Sequence, residues 1–211
     1  MEVREYRAVD GKTPVTQWLS DLRDFAARAR VVSRLDRLKA GLLGDWKGVG
    51  EGVCELRIDY GPGYRVYYAQ DGEALIILLC GGDKRSQAKD IDELMRTGKT
   101  TRPASPSRPF RAADHLQSEA EVAAYIEAML EDGDARAVPV ALRTVAEAVG
   151  GMGALARKTG LSRETLYRTL SKRGNPRLDT LAAILAAFGL RLTVRTRGGR
   201  GSRGRVTSAR A

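Results

Sequence analysis

The 211-residue sequence predicts an α+β part followed by an all-helical part. Between about residues 53 and 80, apolar residues first alternate with polar ones and then form the continuous run EALIILLC, a pattern typical of paired β-strands. Beyond about residue 110, apolar residues recur only at helical spacing. Between the two parts, TGKTTRPASPSRP contains three prolines and no acidic residue, which favours a linker over a packed element.

The first part is expected to consist of two helices packed on an antiparallel sheet. A short strand near Glu2–Ala8 precedes a helix that starts after Thr13, a capping residue, with Pro14 in its first turn. A second helix spans about Phe25–Leu43, where apolar residues recur at every third or fourth position. Three strands follow at about residues 53–59, 64–70 and 73–80. The stretch GGDKRSQAKDIDELMR then turns into a short terminal helix.

The second part is predicted to be a succession of helices. Ser118 and Glu121 form a capping box before the first of them. In MGALARKTGLSRETLYRTL, a short helix is followed by a turn at Gly160 and by a second helix with Ser162 as its N-cap. Further helices are expected at about residues 140–149 and 179–188, and LRLTV forms a short extended end.

The formal net charge of +10 predicts a polyanionic partner. Most of the excess lies in the linker and in the arginine-rich end of the chain, so both folded parts are close to neutral. Within the second part, residues 112–150 are acidic and residues 151–194 are basic, which indicates two different partners. Cys54 and Cys80 lie in predicted strands and are expected to be buried apolar residues, not a disulfide or a metal site. We expect no metal and no cofactor.

The chain carries no signal for a membrane or for secretion. The N-terminal stretch MEVREYRAVDGK is charged and lacks the pattern of a signal peptide. No apolar run approaches the roughly 20 residues that span a bilayer. We therefore expect a cytoplasmic protein that does not bind a membrane. The basic tail, residues 195–211, is rich in Gly and Arg and is expected to be disordered.

A β-hairpin is predicted for ELRIDYGPGYRVYY, residues 55–68, in which two alternating runs are joined by GPG. Alternation directs Leu56, Ile58 and Val66 toward a core, and the side chains between them toward the other face. The candidate site residues on or beside that face are Arg57, Arg65, Tyr67, Lys84, Arg85 and Lys47.

Arginines grouped on a sheet face can hold a scissile phosphate and stabilise the charge that develops on it. Because the sole histidine, His115, lies beyond the linker and is expected to be a plain surface residue, a lysine or tyrosine would have to transfer protons. RNA suits such a site, since its 2′-OH supplies the nucleophile and no metal is required. The alternative is a solvated surface without catalytic function.

The stretch ELRIDYGPGYRVYY, followed by LLCGGDKRSQAKDI, resembles the RelE/ParE superfamily of toxins, specifically the HigB-like addiction-module killer proteins, over about residues 1–97. The resemblance implies a small α+β ribonuclease that cuts messenger RNA, commonly in the ribosomal A site. By position, it implies catalytic roles for Arg57, Arg65, Tyr67 and Lys84, with Tyr67 stacking on a base. The RNA-binding candidates are Lys47, Arg85 and Gln87.

Two questions stay open for this half. RelE-type members carry a tyrosine or histidine near the C-terminal end, whereas this chain reads SQAKDIDELMR there, so the acid–base assignment is undetermined. Some members of the superfamily inhibit gyrase instead of cutting RNA, and composition does not distinguish the two activities.

A helix-turn-helix is predicted for ALARKTGLSRETLYRTLSKRGNPRLDTLAAIL, in which a glycine turn joins two helices. The second helix is placed to read base edges in the major groove of DNA, while Lys172 and Arg173 are placed for phosphates. The candidate DNA-binding residues are Ser162, Arg163, Glu164, Thr165, Tyr167, Arg168 and Lys172. The alternative is a helical hairpin with a solvated charged face, against which the basic charge of residues 151–194 argues.

The stretches FRAADHLQSEAEVAAYIEAML and GNPRLDTLAAILAAFGLRLTV resemble the HigA-like addiction-module antidote proteins, and the likeness covers about residues 110–194. The resemblance implies a Cro/CI-type fold that binds operator DNA. Because palindromic operators are bound by symmetric dimers, we expect a homodimer through the C-terminal half.

The two resemblances together predict a fused type II toxin–antitoxin protein. Its toxin half would be a ribosome-dependent mRNA endoribonuclease, neutralised by a DNA-binding antitoxin half that represses its own operon. The expected units are residues 1–97, the linker 98–109, residues 110–194 and the tail 195–211. A linker of this length spans roughly 20 Å and holds the halves at millimolar effective concentration.

Acidic residues between 114 and 134 are expected to face a basic surface of the toxin half; alternatively, this segment is a solvated, capped helix. Two other functions are kept open for the whole chain. One is a DNA-binding repressor whose toxin half is inactive, and the other is a toxin half that binds a protein target such as gyrase.

Overall fold

The computed structural model describes residues 1–8, 10–72, 75–97, 106–131, 133–171 and 174–193. It contains a six-stranded sheet and eight α-helices within these ranges, which confirms the α+β class. The strands are β1 (Glu2–Tyr6), β2 (Trp46–Gly50), β3 (Val53–Ile58), β4 (Tyr64–Asp71), β5 (Leu75–Asp83) and β6 (Ser107–Pro109). The helices are α1 (Pro14–Asp21), α2 (Phe25–Lys39), α3 (Gln87–Thr97), α4 (Glu119–Leu130), α5 (Ala137–Ala148), α6 (Gly151–Thr159), α7 (Arg163–Thr169) and α8 (Leu178–Ala187).

The sheet has the strand order β2-β3-β4-β5-β1-β6. All neighbouring strands are antiparallel except β1 and β5, which are parallel. The expectation of a purely antiparallel sheet is therefore corrected. The chain passes through α1 and α2 between β1 and the hairpin strands, and this crossover lets β1 enter the sheet beside β5 in the same direction.

Two of the strands have no clear signal in the sequence. The stretch WKGVG of β2 contains two glycines, which weaken the strand pattern. β6 lies at the end of the expected linker and pairs antiparallel with β1 at the sheet edge, where a strand tolerates proline. The structure thus corrects the linker, since residues 107–109 belong to the sheet; residues 98–105 and the tail from residue 194 onward lie outside the described residues.

The predicted hairpin is confirmed as β3 and β4. Its turn places Gly61 and Gly63 at φ values of +57° and +79°, a backbone conformation that glycine adopts without strain. The side chains that alternation directed inward pack against α1 and α2; they include Leu56, Ile58, Tyr64, Val66 and Tyr68. The other face of the sheet carries Arg57, Arg65 and Tyr67, as alternation predicts.

That other face is not open to solvent along its whole length. Helix α3 packs on it through Leu94, with Ile91 and Met95 at its edge. A second, smaller core forms there from Val53, Tyr67, Ile77, Leu79 and Leu94. The sheet is therefore covered by α1 and α2 on one face and partly by α3 on the other.

The two halves of the chain share one continuous hydrophobic core. Helix α4 lies along α2, and α5 and a 3₁₀ turn at Ala112–His115 pack beside it. Phe110, Tyr125 and Leu142 of the second half are buried in the same cluster as Leu35 and Leu38 of α2. The second half is thus docked on the helical layer of the first, on the side away from the hairpin arginines.

Two helices of the second half, α4 and α7, begin at the residues that the sequence predicts as their caps. Ser118 and Glu121 form the expected capping box at α4, and Ser162 caps α7. Gly160, at φ +71°, ends α6 and forms the turn before α7. The expected extended end is not assigned as a strand at residues 191–193, and Val194 lies outside the described residues. Among the described helices, none alone has the length and apolar composition of a membrane span, while α5 and α6 meet these criteria only as a pair bent by 97°.

Gly81 of β5 gives the first testable prediction. A Cβ at this position would lie 2.1 Å from Trp18 Cε3, so the indole would have to leave its place against Tyr64. We expect Gly81→Ala to lower the free energy of unfolding by about 1–3 kcal/mol, measured by urea denaturation. Gly48→Ala in β2 is the control, because nothing lies within 4 Å of its Cβ position. Equal losses in both variants would contradict the packing described.

Candidate functional site

The two hairpin arginines lie side by side on one face of the sheet. Arg57 of β3 and Arg65 of β4 are direct partners in the antiparallel ladder, so their Cβ atoms are roughly 5 Å apart. Lys84 meets them at the turn, where its N–H donates to the Gly63 carbonyl over 2.8 Å. A Cβ placed on Gly63 would lie 3.5 Å from Arg65 Nη1 and 3.7 Å from Lys84 Cβ. The structure thus brings the three basic residues together, with Arg65 between the other two.

A buried carboxylate organises this cluster. Glu55, two residues before Arg57 on the same face of β3, is 0% exposed. Arg57 Nε donates to Glu55 Oε1 over 2.8 Å, and Arg65 Nε lies 3.4 Å from the same oxygen as an ion pair. Gln87, the first residue of α3, donates from Nε2 to Glu55 Oε2 over 2.6 Å. Glu55 therefore holds both arginines and the start of α3 in place.

Glu55 hydrogen-bonds Arg57 Nε and lies within ion-pair distance of Arg65 Nε, a buried nitrogen without a hydrogen-bond partner among the described residues, so it does not engage the Nη2 atom of either arginine. Arg57 Nη1 lies 3.8 Å from Asp45 Oδ1, and Arg65 Nη1 donates to the Tyr64 carbonyl over 2.9 Å. Within the part of the chain that the structure describes, neither Nη2 atom has a hydrogen-bond partner. These two Nη2 atoms and the exposed Lys84 are therefore the candidate donors for an anion at this site.

Tyr67 does not fit the role expected for it. Its side chain points to the arginine face, as alternation predicts, but α3 covers it and it is 0% exposed. Burial raises the pKa of the Tyr67 hydroxyl well above its ordinary value, with the charges of Glu55 and Asp90 adding to the effect. The hydroxyl has no hydrogen-bond partner among the described residues. A buried, protonated Tyr67 cannot stack on a base in this conformation.

A second carboxylate lies near Arg65 and has no counterpart among the sequence candidates. Asp90 of α3 projects over Gly82, the ladder partner of Arg65, and a Cβ on Gly82 would lie 2.2 Å from Asp90 Oδ2. Ser86 Oγ donates to that oxygen over 2.7 Å. Burial raises the pKa of Asp90. Asp90 therefore gains and loses its proton at a pH nearer to neutrality than an ordinary aspartate does.

The three RNA-binding candidates have different surroundings. Lys47 is exposed and lies opposite Glu55 in the β2–β3 ladder, on the arginine face. Gln87 is directed inward to Glu55. Arg85 is exposed, but its Nε and Nη2 both donate to Asp83 Oδ2, at 3.3 and 2.9 Å. Lys47 and Gln87 therefore belong to the cluster, whereas Arg85 is committed to Asp83.

Acidic side chains of the second half do face a basic surface, but it is that of α2. Arg28 pairs with Glu121, and Arg30 Nη2 lies 3.5 Å from Glu131 Oε1. Arg37 Nη1 adds a hydrogen bond to the Met129 carbonyl over 3.2 Å. Among the described residues, no hydrogen bond or ion pair joins the segment 114–131 to the hairpin arginines. The second half is held on one side of the sheet, and the arginine cluster lies on the other.

A buried polar network also joins the halves. Asp36 of α2, 1% exposed, accepts a hydrogen bond from Tyr125 Oη over 2.6 Å and another from Thr144 Oγ1. Lys39 Nζ lies 3.1 Å from its other oxygen. Burial and the charge of Asp36 raise the pKa of Tyr125 well above its ordinary value. A charged group of the first half thus depends on two hydroxyls of the second.

His115 is not the plain surface residue that the sequence suggests. It is half-buried where the second half packs on the first, and it stacks on Phe110, with ring centroids 5.5 Å apart. Burial lowers the pKa of His115. His115 is half-buried because Phe110 and Leu116, on either side of it, are buried in the shared core and hold the segment between them against it.

The residues named for DNA contact lie on an exposed helix. Ser162, Arg163, Glu164, Tyr167 and Arg168 are exposed at α7, and Thr165 is half-buried. Leu166 is fully buried and anchors the helix. Glycine at position 153 leaves room for Arg163, since a Cβ there would lie 2.7 Å from Arg163 Nη2. Lys172 and Arg173 lie outside the described residues.

Comparisons with known proteins match the two halves separately. Residues 17–100 match the family model of the phage derived Gp49-like proteins, and residues 107–196 match a family described as "probable addiction module antidote protein". An uncharacterized protein of Haemophilus influenzae is 50% identical over 84 residues, which are 39% of this chain and 85% of that protein. A second uncharacterized protein of the same organism is 36% identical over 87 residues, which are 41% of this chain and 89% of that protein. No solved structure matches the chain.

Proposed function

The chain belongs to the toxin–antitoxin proteins, with a Gp49-like toxin half and an addiction module antidote half in one polypeptide, and we propose that it is a self-restrained type II module. In this proposal the first half, of the HigB-like kind, cleaves messenger RNA on the ribosome. The second half, of the HigA-like kind, restrains it and represses transcription of its own operon.

RNA cleavage is supported above all by the way Glu55 holds Arg57 and Arg65. Glu55 holds Arg57 by a hydrogen bond to Nε and Arg65 by an ion pair. In the proposed complex the Nη2 atoms of both arginines bind one phosphate, and Lys84 adds a third positive charge. Such preorganised donors stabilise the extra negative charge that forms when an oxygen attacks phosphorus. The attacking oxygen is the 2′-OH of the substrate itself, so the reaction proceeds without a metal-bound nucleophile.

The reaction also needs a group that accepts a proton, and we assign this role to Asp90, the second carboxylate. The 2′-oxygen forms a bond to phosphorus, the bond to the 5′-oxygen breaks, and the products are a 2′,3′-cyclic phosphate and a free 5′-hydroxyl. Asp90, with its raised pKa, accepts the proton of the 2′-OH. The leaving 5′-oxygen takes a proton from water or from Lys84.

Restraint is proposed to act at a distance from this cluster. The second half occupies the arginines of α2 through Glu121 and Glu131, and β6 completes the sheet edge; among the described residues, no hydrogen bond or ion pair joins the second half to the hairpin arginines. In this proposal the docked half hinders the approach of a large partner such as the ribosome and does not fill the phosphate site itself. Glu121 and Glu131 take the place on α2 that the phosphates of a nucleic acid backbone would have.

A split form of the protein tests RNA cleavage directly. Residues 1–97 and 106–211 are encoded as separate chains, so that the first half folds against the second and can then be freed from it. Primer extension on messenger RNA from a translating extract should show new 5′ ends when the first half is freed. The absence of such ends, with the first half present in soluble form, would overturn the ribonuclease proposal.

Operator binding is supported by the exposed face of α7. We expect Arg168→Ala to weaken binding to DNA from upstream of the protein's own gene by about 5- to 150-fold, since a bidentate contact to a base contributes about 1–3 kcal/mol. A mobility-shift assay at fixed salt measures this. Arg85→Ala, which removes the same charge from the other half, is the control. Equal weakening by both variants, or on unrelated DNA, would mean that binding is only electrostatic.

The repressor with an inactive toxin half is the second candidate. It is favoured by the burial of Glu55 and Tyr67, because Glu55 already neutralises part of the charge that the arginines would offer to a phosphate. This candidate predicts a sequence-specific DNA shift from a protein whose freed first half produces no new RNA ends. A first half that arrests growth without cutting RNA would instead indicate a protein target such as gyrase.

A further inference from the structure

A cavity lies where the second half docks on the first, and the contact between the halves does not fill it. It has a volume of about 370 Å³, and its walls come from the end of α2, from α5 and from the residues that follow α7. The apolar part of its lining includes Ala40, Pro139, Val140 and Leu170. Junctions between domains are common places for small-ligand sites, and this volume lies within the range of such sites. The cavity is therefore large enough for a small organic molecule.

Three of the charged residues that line the cavity are already satisfied within the chain. Lys39 Nζ lies 3.1 Å from Asp36 Oδ1, and the other carboxylate oxygen of Asp36 accepts hydrogen bonds from two hydroxyl groups. Arg136 donates to Asp134 from Nε and from Nη2, over 3.1 and 2.8 Å. These side chains therefore have no unpaired charge to offer a ligand.

The other two charged residues of the lining, Arg143 and Glu147, are unpaired. Among the residues that the structure describes, neither makes a hydrogen bond or an ion pair, although they lie one turn apart on α5. A base four residues before an acid is the weaker order for a pair within a helix. Arg143 is half-buried, so its guanidinium group has lost part of its contact with water without gaining a partner. The cavity thus offers one positive and one negative group beside an apolar wall.

We infer that this cavity binds a free α-amino acid with an apolar side chain. The carboxylate of the amino acid pairs with Arg143 in the bidentate manner that a guanidinium group favours, and its ammonium group pairs with Glu147. Its side chain lies between Ala40 of the first half and Val140 of the second. A simple carboxylate or a phosphate would leave Glu147 facing a like charge, so a zwitterion matches the lining better than an anion does.

Binding at this site favours the docked state of the two halves. Lys39 and Ala40 belong to the first half, and Arg143 and Glu147 belong to the second, so the complete cavity exists only when the halves are docked. A ligand that binds only the docked state stabilises it, and the effect grows with the concentration of the ligand. A plentiful supply of the amino acid would then strengthen the restraint of the toxin half, a consequence that rests on the proposed function, whereas the site itself does not.

Equilibrium dialysis of the full chain against labelled L-leucine and L-phenylalanine tests the site. At least one of them should be retained at millimolar concentration. Isocaproate, which is leucine without its ammonium group, and isoamylamine, which is leucine without its carboxylate, should each compete at least about tenfold more weakly than leucine. Retention of neither amino acid, or equal competition by leucine and isocaproate, would overturn the inference.

Two substitutions connect binding to the unpaired charges. Arg143→Gln should weaken amino acid binding by about 10- to 150-fold, the effect of losing hydrogen bonds to a charged group. Glu147→Gln should weaken amino acid binding but strengthen that of isocaproate, because it removes the charge that repels a carboxylate. Arg177→Gln is the matched control, since Arg177 is exposed on the same half and does not line the cavity. Equal binding by the Arg143 and Arg177 variants would exclude this cavity as the site.

Urea denaturation of the full chain shows whether each variant folds and whether the ligand stabilises the docked state. The bound amino acid should raise the midpoint of unfolding of the unaltered chain and of Arg177→Gln, but not that of Arg143→Gln. An unchanged midpoint in the unaltered chain under saturating ligand would overturn binding to the docked state. A chain that binds the amino acid but whose freed first half cuts no RNA would refute the ribonuclease proposal and support the site, so the two failures are distinguishable.

Discussion

Replacing Tyr125 by Phe together with Thr144 by Val is expected to lower the free energy of unfolding of the intact chain by about 3–5 kcal/mol. Both hydroxyls donate to the buried carboxylate of Asp36, and without them Lys39 alone faces a charge in the shared core. Leaving a buried charge with too few partners costs more than the same bonds contribute while intact. Urea denaturation, followed by circular dichroism, measures the loss.

The same network gives its own control. Adding Asp36→Leu to the double variant removes the stranded charge, and the cavity beside Asp36 leaves room for the larger side chain. We expect this triple variant to recover most of the lost stability, since replacing all partners of a buried network by apolar groups is close to neutral. A double variant as stable as the unaltered chain would mean that the halves are not held together through Asp36.

Removing the Arg65 guanidinium is expected to lower RNA cleavage by the freed first half about 100- to 1,000-fold, the effect of losing one preorganised donor to a developing negative charge. Arg65 is the arginine between Arg57 and Lys84, and its side chain is only 12% exposed, so water cannot replace it well. Arg65→Lys should fail almost as badly, because an ammonium group cannot bind Glu55 and a phosphate with separate nitrogens. The rate at which primer extension products appear measures both.

Arg85→Ala controls for the loss of charge, since Arg85 is exposed on the same half and its guanidinium is bound to Asp83. It should leave the rate of cleavage nearly unchanged. Urea denaturation of each variant shows whether the first half still folds. If Arg65→Ala cuts RNA as fast as Arg85→Ala in a folded protein, the arginine cluster is not the catalytic site.

Strand alternation predicts the part of the site that depends on the backbone. It places Arg57 and Arg65 on one face, and the short GPG turn makes them ladder partners. It does not reveal that Glu55, on the same face, is the residue around which the arginines gather. That outcome depends on how far each side chain reaches and on Gln87, which arrives from α3.

The wrong prediction that Tyr67 stacks on a base has a similar cause. Alternation correctly directs it away from the main core, but its exposure is decided by whether another element covers that face. The spacing of Ile91, Leu94 and Met95 in α3 is the signal that could have indicated such a cover. A helix with an apolar side must bury that side, and α3 buries its apolar side against the arginine face of the sheet.

The sequence predicts that acidic residues of the second half meet a basic surface of the first, but it does not predict which basic surface. The acidic composition around α4 predicts a basic partner surface, and α2 supplies one in Arg28, Arg30 and Arg37. The sequence offers two basic surfaces, and charge alone does not choose between them. The choice follows from Phe110 and Tyr125, which bury apolar area against α2 and so fix the docking side.

Growth of cells that carry the split form tests the central claim, namely that the second half restrains an active toxin held in the same chain. Residues 1–97 and 106–211 are expressed from separate promoters, and synthesis of the second segment is then stopped. We predict that growth arrests as the second segment is depleted, that it does not arrest with Arg65→Ala in the first, and that the intact chain is harmless throughout. Continued growth, with the first segment soluble and undiminished, would contradict the claim.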